Sequence, residues 1–381
     1  SMFNQSGLDP YVNMLRITTE AFSAITGGAE RLTTNPFDRV LNDPSPFSRR
    51  VARNVQTVLK EESHLHRMID PSGGSYFVEK LTSDVVEKVW KFFLEIEEEG
   101  GVQKALESGF LRKRIAEGRE KLEMSIAKRK KILVGTNNFG NPDDQFEQKE
   151  SVDQLTLFSQ RVNDIKEYKD SKKVERDGID QSELDDPFEA GNPKVIDDGA
   201  GMFINGATIG EITSLLKGDG EPFMINGNTP VNSRLSEKME KLRKMVAGIK
   251  GDPELTIAVN EPFLKIKPRG DFSKSFFETG GFNSRIIKLE GSSDDKVKQI
   301  LDQGNQLIVL CAADADYPDL ISAIVPVMKS EKEDLIIVLA GDPGEKKVQY
   351  LEDGVDFFIH RGSDLPGIIS GILKRSGVDN G

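Results

Sequence analysis

The runs that decide the fold are Leu307-Ile308-Val309-Leu310-Cys311 and Leu335-Ile336-Ile337-Val338-Leu339-Ala340. Each is a short apolar stretch, and each is followed by a stretch with helical periodicity. The same order recurs through the last third of the chain. The predicted strands are 255–259, 285–289, 307–311, 335–340 and 357–359, and the predicted helices are 272–279, 294–303, 320–329, 345–352 and 365–374. Short Val, Ile and Leu strands that alternate with helices indicate an α/β region with a parallel sheet covered on both faces.

Working outward from these strands divides the chain into three predicted regions. Residues 251–381 contain five strand-helix units and are predicted to form a flavodoxin-like domain. Residues 137–250 are predicted to be a connector with helices, because their second half is too apolar for a simple linker. Residues 1–136 are predicted to mix helices with short strands. Outside the α/β region the predicted helices are 11–24, 47–62, 82–99, 110–130, 207–216 and 231–249, the predicted strands are 31–34 and 132–134, and residues 177–186 are a predicted acidic loop.

Residues 82–99 form the clearest predicted helix of the first region. Six apolar residues recur there at helical spacing: Val85, Val86, Val89, Trp90, Phe93 and Ile96. Thr82 or Ser83 can cap its start, and Gly100-Gly101 can stop it.

The composition excludes several classes of function. The 381 residues are 37% hydrophobic and 30% charged, and the formal net charge is -12. With no face of clustered Lys and Arg, this charge disfavours nucleic-acid binding. No run of about 18 apolar residues predicts a membrane span, and residues 1–6 lack the features of a signal peptide. The single cysteine, Cys311, can form neither an internal disulfide nor a metal cluster, so we expect a small buried side chain and a cytoplasmic location.

Several separated motifs resemble segments of the methylmalonyl-CoA mutase family. They are Asp9–Arg16, Phe47–Gln56, Glu61–His64, Asp70–Glu79, Phe92–Glu97, Gly100-Gly101 and Ile132–Asn137. The motifs occur in the family's order and precede the α/β region, which makes the resemblance specific. Phe272–Phe282 is similar to small-subunit sequences of the family, so the chain resembles the C-terminal half of the small, or beta, subunit.

This resemblance implies a fold and a biological setting. The family's catalytic chain has a (βα)₈ barrel that binds acyl-CoA, then a linker, then a flavodoxin-like domain that binds adenosylcobalamin. A homologous small subunit lacks the catalytic residues and forms a heterodimer with that chain. A complete barrel needs about 200–250 residues, so residues 1–136 are expected to be an incomplete C-terminal portion of the barrel.

The cofactor motif that the resemblance implies is degenerate. The family uses Asp-x-His-x-x-Gly after the first strand of the α/β domain, where the imidazole coordinates cobalt and the aspartate fixes its tautomer. The matching segment, Asn260–Phe272, is predicted to be a loop and contains no histidine, and none occurs from Met68 through Ile359. The degenerate positions are Asn260, Lys267, Asp271, Ala313 and Gly341. The resemblance therefore implies no bound cofactor and no metal ligand in this chain, with adenosylcobalamin held by the catalytic partner.

The barrel motif is also altered. The catalytic chain carries Gly-His-Thr-Gln-Ser-Leu-His-Thr-Asn over the substrate, whereas this chain has Gly27–Asn35 with both histidines and the glutamine replaced. Glu30 and Arg31 are expected to be ion-pairing groups. The resemblance thus implies no catalytic residue in this chain.

Four other features invite a ligand, but a structural role is favoured for each. His64 and His66 have no evident third ligand, and positions i and i+2 do not share a helix face. His360 ends the fifth predicted strand, where such domains place ligand loops. Asp70–Gly74 lacks the lysine of a phosphate loop and is favoured as a turn. Gly341–Gly344 is a turn that leads into a helix.

Three functions remain open at this stage. The first is a non-catalytic small subunit that packs against the catalytic mutase chain. The second is an active mutase chain that binds adenosylcobalamin without a protein histidine. The third is a regulatory module that binds a nucleotide or CoA. Whether the chain is itself an enzyme is not decided by its sequence.

Overall fold

A computed structural model describes residues 2–41, 43–141, 154–171, 193–204, 207–210, 213, 234–249 and 253–377. The chain forms two compact units, residues 1–149 with 229–381 and residues 150–228. The helices are α1 (Pro10–Thr26), α2 (Pro46–Glu61), α3 (Tyr76–Glu98), α4 (Val102–Glu107), α5 (Phe110–Ala127), α6 (Gln154–Ser171), α7 (Pro193–Ile204), α8 (Glu237–Ala247), α9 (Phe263–Thr279), α10 (Ser293–Leu301), α11 (Tyr317–Glu331), α12 (Lys347–Glu352) and α13 (Leu365–Arg375). The strands are β1 (Glu254–Asn260), β2 (Asn283–Leu289), β3 (Leu307–Cys311), β4 (Ile336–Ala340) and β5 (Phe357–Ile359).

The five strands form one parallel sheet in the order β2-β1-β3-β4-β5. In the register, Leu255 of β1 lies opposite Ser284 of β2 and Leu307 of β3. The predicted α/β region with a parallel sheet is therefore confirmed. Every residue of β3 and β4 is buried, as expected for strands that are covered on both faces.

Alternate residues of each strand enter two separate cores, one on each face of the sheet. Ile257 and Val309 pack with residues of α8, α9 and α13. Their chain neighbours Ala258 and Ile308 pack with residues of α10 and α11 on the opposite face. This period-two alternation is the geometry of a pleated strand, and it places helices on both sides of the sheet.

Helix α9 corrects one prediction. The segment Asn260–Phe272 was predicted to be a loop, but the helix begins at Phe263 rather than at Phe272. Pro268 and Gly270 both disfavour helix in a short window, which is why the pattern was missed. Glycine is needed at position 270, because a Cβ there would lie 2.9 Å from Cγ2 of Val259 on β1.

The strands predicted in the first region are absent from residues 2–41 and 43–141. Residues 31–34 have no regular structure, and residues 132–134 contribute only an isolated bridge between Val134 and Asn138. A strand needs a hydrogen-bonded neighbour, and these residues offer none beyond that bridge. The predicted helices of the region are present as α1, α2, α3 and α5.

Helix α3 begins earlier than predicted and is exposed. It starts at Tyr76 with Ser75 at the N-cap position, so Thr82 and Ser83 lie inside the helix and do not cap it. The Ser83 hydroxyl instead donates to the Glu79 carbonyl. No residue of α3 is buried, and Trp90 is 60% exposed.

Buried polar contacts join the first region to the rest of its unit. Arg234 donates from both terminal nitrogens to the Glu240 carboxylate at 2.6 Å. The Gly7 amide donates to the same carboxylate at 2.7 Å. Arg129 donates to the Ser275 hydroxyl of α9 at 2.9 Å and stacks over Phe272. The hydrogen bonds of Gly7 to Glu240 and of Arg129 to Ser275 each involve a charged group and link segments that are far apart in the chain.

Some predictions lie wholly or partly outside the described residues. They are the acidic loop at 177–186, half of the helix predicted at 207–216, and residues 231–233 of the helix predicted at 231–249, of which the described part contains α8. Within the described residues, no helix is both long and apolar enough to cross a bilayer.

Candidate functional site

The strand order of the sheet reverses between β1 and β3, and open parallel sheets usually bind ligands at the carboxyl edge near such a point. A cavity of about 430 Å³ lies on the carboxyl edge between α9 and the ends of β3, β4 and β5. Its lining residues are Pro268, Arg269, Phe272, Asp314, Ala340, Gly341, Asp342, Ile359, His360 and Arg361. We call it the edge crevice.

Arg269 reaches from α9 across the edge crevice. Its Nη1 donates to the Ala312 carbonyl at 2.8 Å and to Oδ1 of Asp314 at 2.7 Å. The same nitrogen lies 3.3 Å from the Tyr317 hydroxyl oxygen. Partial burial acts to lower the pKa of Arg269, but the hydrogen bonds to Asp314 and Tyr317 outweigh it and raise the pKa. The guanidinium is therefore a fixed cation whose hydrogen bonds stay inside the chain.

Tyr317 lies beside Arg269 and Gly341 at the edge crevice. Its hydroxyl donates to the Ala340 carbonyl at 2.5 Å and accepts from the Ala312 amide at 3.1 Å, so it connects the ends of β3 and β4. Burial raises the pKa of the hydroxyl, and the group stays protonated at neutral pH. Cys311 lies beneath it, and burial raises the pKa of its thiol to about 12. The prediction of a small buried cysteine is confirmed.

The five degenerate positions fall at three places around the edge. Asn260 ends β1, and its Oδ1 accepts from Nζ of Lys296 at 2.9 Å. Lys267 and Asp271 form an exposed i,i+4 ion pair on α9 at 2.7 Å. Ala313 and Gly341 follow β3 and β4. Only Gly341 of the five lines the edge crevice.

Side chains of the chain itself lie close to the backbone of Gly341. A Cβ on this residue would lie 3.2 Å from Tyr317 and 3.3 Å from Nη1 of Arg269. Glycine permits close approach to its backbone. Here the approaching groups are the chain's own Tyr317 and Arg269.

The three histidines occupy separate surroundings. Nδ1 of His66 lies 2.9 Å from the Lys60 carbonyl, and its ring centroid lies 6.5 Å from that of His64. His360 follows β5 and donates from Nδ1 to the Arg361 carbonyl at 3.0 Å. Within the described residues, no group of three or more His, Cys, Asp or Glu side chains could hold a metal ion.

Two further predictions have clear outcomes. Glu30 and Arg31 were expected to form ion pairs, but both are exposed and neither has an ion pair among the described residues. Asp70–Gly74 is a turn, closed by the Gly73 amide on the Asp70 carbonyl at 3.0 Å. The Gly74 amide donates to Glu79 at 3.0 Å, so this backbone donor is already used.

Sequence reasoning missed Arg269 and Tyr317 as residues of the site. Arg269 was placed in a predicted loop. Asp314 gave no warning of the contact, because its side chain is 76% exposed and an exposed carboxylate does not need a cation beside it.

Comparison with known proteins identifies the family. The model of the family "Methylmalonyl-CoA mutase" matches residues 1–221, which is more than half of the chain. The chain therefore belongs to the methylmalonyl-CoA mutase family.

Similar relatives include both subunit types. The chain is 43% identical over 141 residues to the methylmalonyl-CoA mutase small subunit of Porphyromonas gingivalis, covering 37% of this chain and 23% of the relative. It is 35% identical over 170 residues to the large subunit of the same organism, covering 44% and 24%. It is 26% identical over 393 residues to the probable mitochondrial methylmalonyl-CoA mutase of Caenorhabditis elegans, covering 96% and 50%. The chain thus spans between about a quarter and a half of these curated relatives' lengths.

Proposed function

We propose that the chain corresponds to the C-terminal half of a methylmalonyl-CoA mutase small subunit and that it is non-catalytic. The complex would interconvert methylmalonyl-CoA and succinyl-CoA in the cytoplasm, with this chain packed against a homologous catalytic subunit. In this proposal residues 1–136 are an incomplete barrel portion, residues 137–250 a connector, and residues 251–381 a degenerate flavodoxin-like domain. The strand order β2-β1-β3-β4-β5 supports the last assignment.

The observation that carries the proposal is the edge crevice. Cobalamin in this family needs an imidazole from the segment after β1, and that segment has none. Arg269 lines the crevice, and Arg269 and Tyr317 together crowd Gly341. His360 lines the cavity from β5, on the opposite rim. These residues do not fit the cofactor, so we assign adenosylcobalamin to the catalytic partner alone.

Helix α3 supports the packing part of the proposal. Large apolar side chains on one face of the helix are exposed, including Val86 at 60%, Trp90 at 60% and Phe93 at 45%. Contiguous exposed apolar faces mark interaction surfaces. The named relatives include a small and a large subunit from one organism, so a homologous mutase chain is the partner we assign to this face.

The test is a reconstitution with the catalytic subunit. The chain, a catalytic mutase subunit and adenosylcobalamin are mixed and separated by gel filtration with absorbance detection in the visible range. The expected result is a heterodimer with one cobalamin per pair. Separate elution of the two chains would refute the packing, and two cobalamins per pair would refute the non-catalytic assignment.

A second candidate, binding of a nucleotide or CoA, is favoured by one observation. A cavity of about 530 Å³ lies between residues 32–36 and α2. Arg49 and Arg53, one helical turn apart, line it, and their guanidinium groups have no partner among the described residues. Paired arginines suit phosphate groups.

A thermal-shift screen with CoA and nucleotides tests this candidate. The expected result is a rise in Tm that an Arg49→Ala variant loses, with Arg50→Ala on the same helix as the matched control. No shift with any of these ligands would remove the candidate.

A further inference from the structure

The edge crevice holds a guanidinium group that the chain itself provides. Arg269 enters from α9, and its Cζ lies 5.6 Å from the centroid of the Tyr317 ring. The Ala312 carbonyl and the Asp314 carboxylate accept from Nη1 at 2.8 Å and 2.7 Å. A carbonyl, a carboxylate and an aromatic face are the three groups that recognise a planar cation.

Two of the three receiving groups, at Ala312 and Tyr317, are buried beside the sheet, whereas Asp314 lies in the exposed turn between β3 and α11. Ala312 directly follows β3 and is fully buried. Tyr317 is 3% exposed and is fixed by hydrogen bonds to Ala312 and Ala340. Such a preorganised site loses little entropy when it binds its ligand.

Arg269 thereby connects α9 to the ends of β3 and β4. Gly341 after β4 packs against both Arg269 and Tyr317. An incoming ligand that uses the backbone of Gly341 would have to displace the guanidinium. The missing imidazole and the position of Arg269 beside Gly341 are therefore two separate obstacles to cofactor binding.

We propose that the edge crevice is a guanidinium-binding site occupied in cis by Arg269, which acts as an internal ligand beside the backbone of Gly341. This inference goes beyond the proposed function, because it assigns a ligand chemistry to the crevice whether or not the chain pairs with a catalytic subunit. The site takes a planar cation, and the chain supplies that cation from its own helix.

Chemical rescue tests the assignment on the full chain. Arg269→Ala removes the side chain and leaves its receiving groups in place. The expected result is a Tm lower by about 2–4 °C, and millimolar guanidinium or methylguanidinium chloride restores most of that loss. The wild-type Tm stays unchanged or falls slightly at the same concentration, because guanidinium salts weaken folding in general.

The matched control is Arg361→Ala. Arg361 lines the same cavity, and its side chain is exposed and has no partner among the described residues. Its loss is expected to change neither Tm nor the response to guanidinium. An equal rescue of both variants, or no rescue of Arg269→Ala, would overturn the proposal.

A second variant covers the case in which Arg269→Ala does not fold. Arg269→Lys keeps the charge and a single donating nitrogen in place of Nη1, but its ammonium lacks the flat guanidinium face that lies over the Tyr317 ring. The expected result is a Tm below that of the wild type. A wild-type Tm for Arg269→Lys would overturn the proposal, because any cation would then serve.

Discussion

The sheet and helix α3 are both strongly apolar, yet they differ completely in burial. Every residue of β3 and β4 is buried between helices, whereas no residue of α3 is buried. The sheet obtains its covering helices from the same chain. Helix α3 has the periodicity of a core helix without a covering surface among the described residues of its unit. Periodicity therefore identifies an amphipathic element, but it does not identify the surface that buries it.

The comparison explains which part of the molecule is stable by itself. Burial of apolar surface is the main favourable term in folding. The two cores of the sheet concentrate that term in α8 and residues 253–377. A partner that covers α3 would bury further apolar surface, and that burial would stabilise the complex rather than the single chain.

The largest effect is expected from truncating one buried residue in the sheet region. Phe277 is fully buried, so Phe277→Ala should cost about 3–5 kcal/mol of unfolding free energy. Trp90→Ala on α3 is the control and should change it by less than about 0.5 kcal/mol. Urea titration followed by circular dichroism measures both. Equal losses of unfolding free energy in the two variants would show that α3 is buried in solution, and the contrast between the sheet and α3 would then be wrong.

The next effect concerns the ion pair of Arg234 and Glu240, whose carboxylate also accepts from the Gly7 amide of the first region. Glu240→Gln leaves Arg234 without its carboxylate and should cost about 3 kcal/mol at neutral pH. The Arg234 and Glu240 side chains are 18% and 10% exposed, so little solvent is available to compensate. Urea titration at pH 7 gives the value, and a loss below about 0.5 kcal/mol would contradict the account.

The same residue gives a pH dependence. Burial acts to raise the pKa of Glu240, but hydrogen bonds from Arg234, Ser236 and Gly7 outweigh it, so the pKa is lowered. A lowered folded pKa means that the pair's contribution is complete above the ordinary carboxyl value of about 4.3 and is lost as the pH falls through the folded value. The wild-type Tm should therefore decline more steeply below that pH than the Glu240→Gln Tm. Parallel declines would refute the assignment.

A smaller effect reports directly on α3. Trp90 is the only tryptophan of the chain, so 5-fluorotryptophan labelling gives one fluorine resonance for this helix. Adding an unlabelled catalytic subunit should shift and broaden that resonance, because the exposed indole becomes covered. An unchanged resonance in a complex that has formed would place the interface elsewhere.

The smallest effect is expected on the outer face of α9. Lys267 and Asp271 form an exposed i,i+4 pair at 2.7 Å, and such pairs contribute about 0.3–0.5 kcal/mol. Lys267→Ala should therefore change the urea midpoint only slightly and only at low salt. A loss above about 1 kcal/mol would show that Lys267 belongs to the crevice.

The sequence predicted the parallel sheet well because its strands are short and rich in Val, Ile and Leu, and because the central strands β1, β3 and β4 are almost entirely buried. It failed at 31–34 and 132–134, where a short run of β-favouring residues has no neighbouring strand among the described residues. It also failed at Pro268 and Gly270, where close packing of α9 on β1 outweighs low helix propensity. Arg269 and Tyr317 meet only after α9 and β3 are placed in space, so no local pattern could reveal their contact.

The central claim is that this chain's own residues exclude adenosylcobalamin. Equilibrium dialysis of the chain alone against the cofactor, with a catalytic mutase subunit as the positive control, tests it most directly. The account predicts equal cofactor absorbance on both sides of the membrane and the spectrum of free cofactor. An excess of one cobalamin per chain, with a displaced visible band, would contradict it.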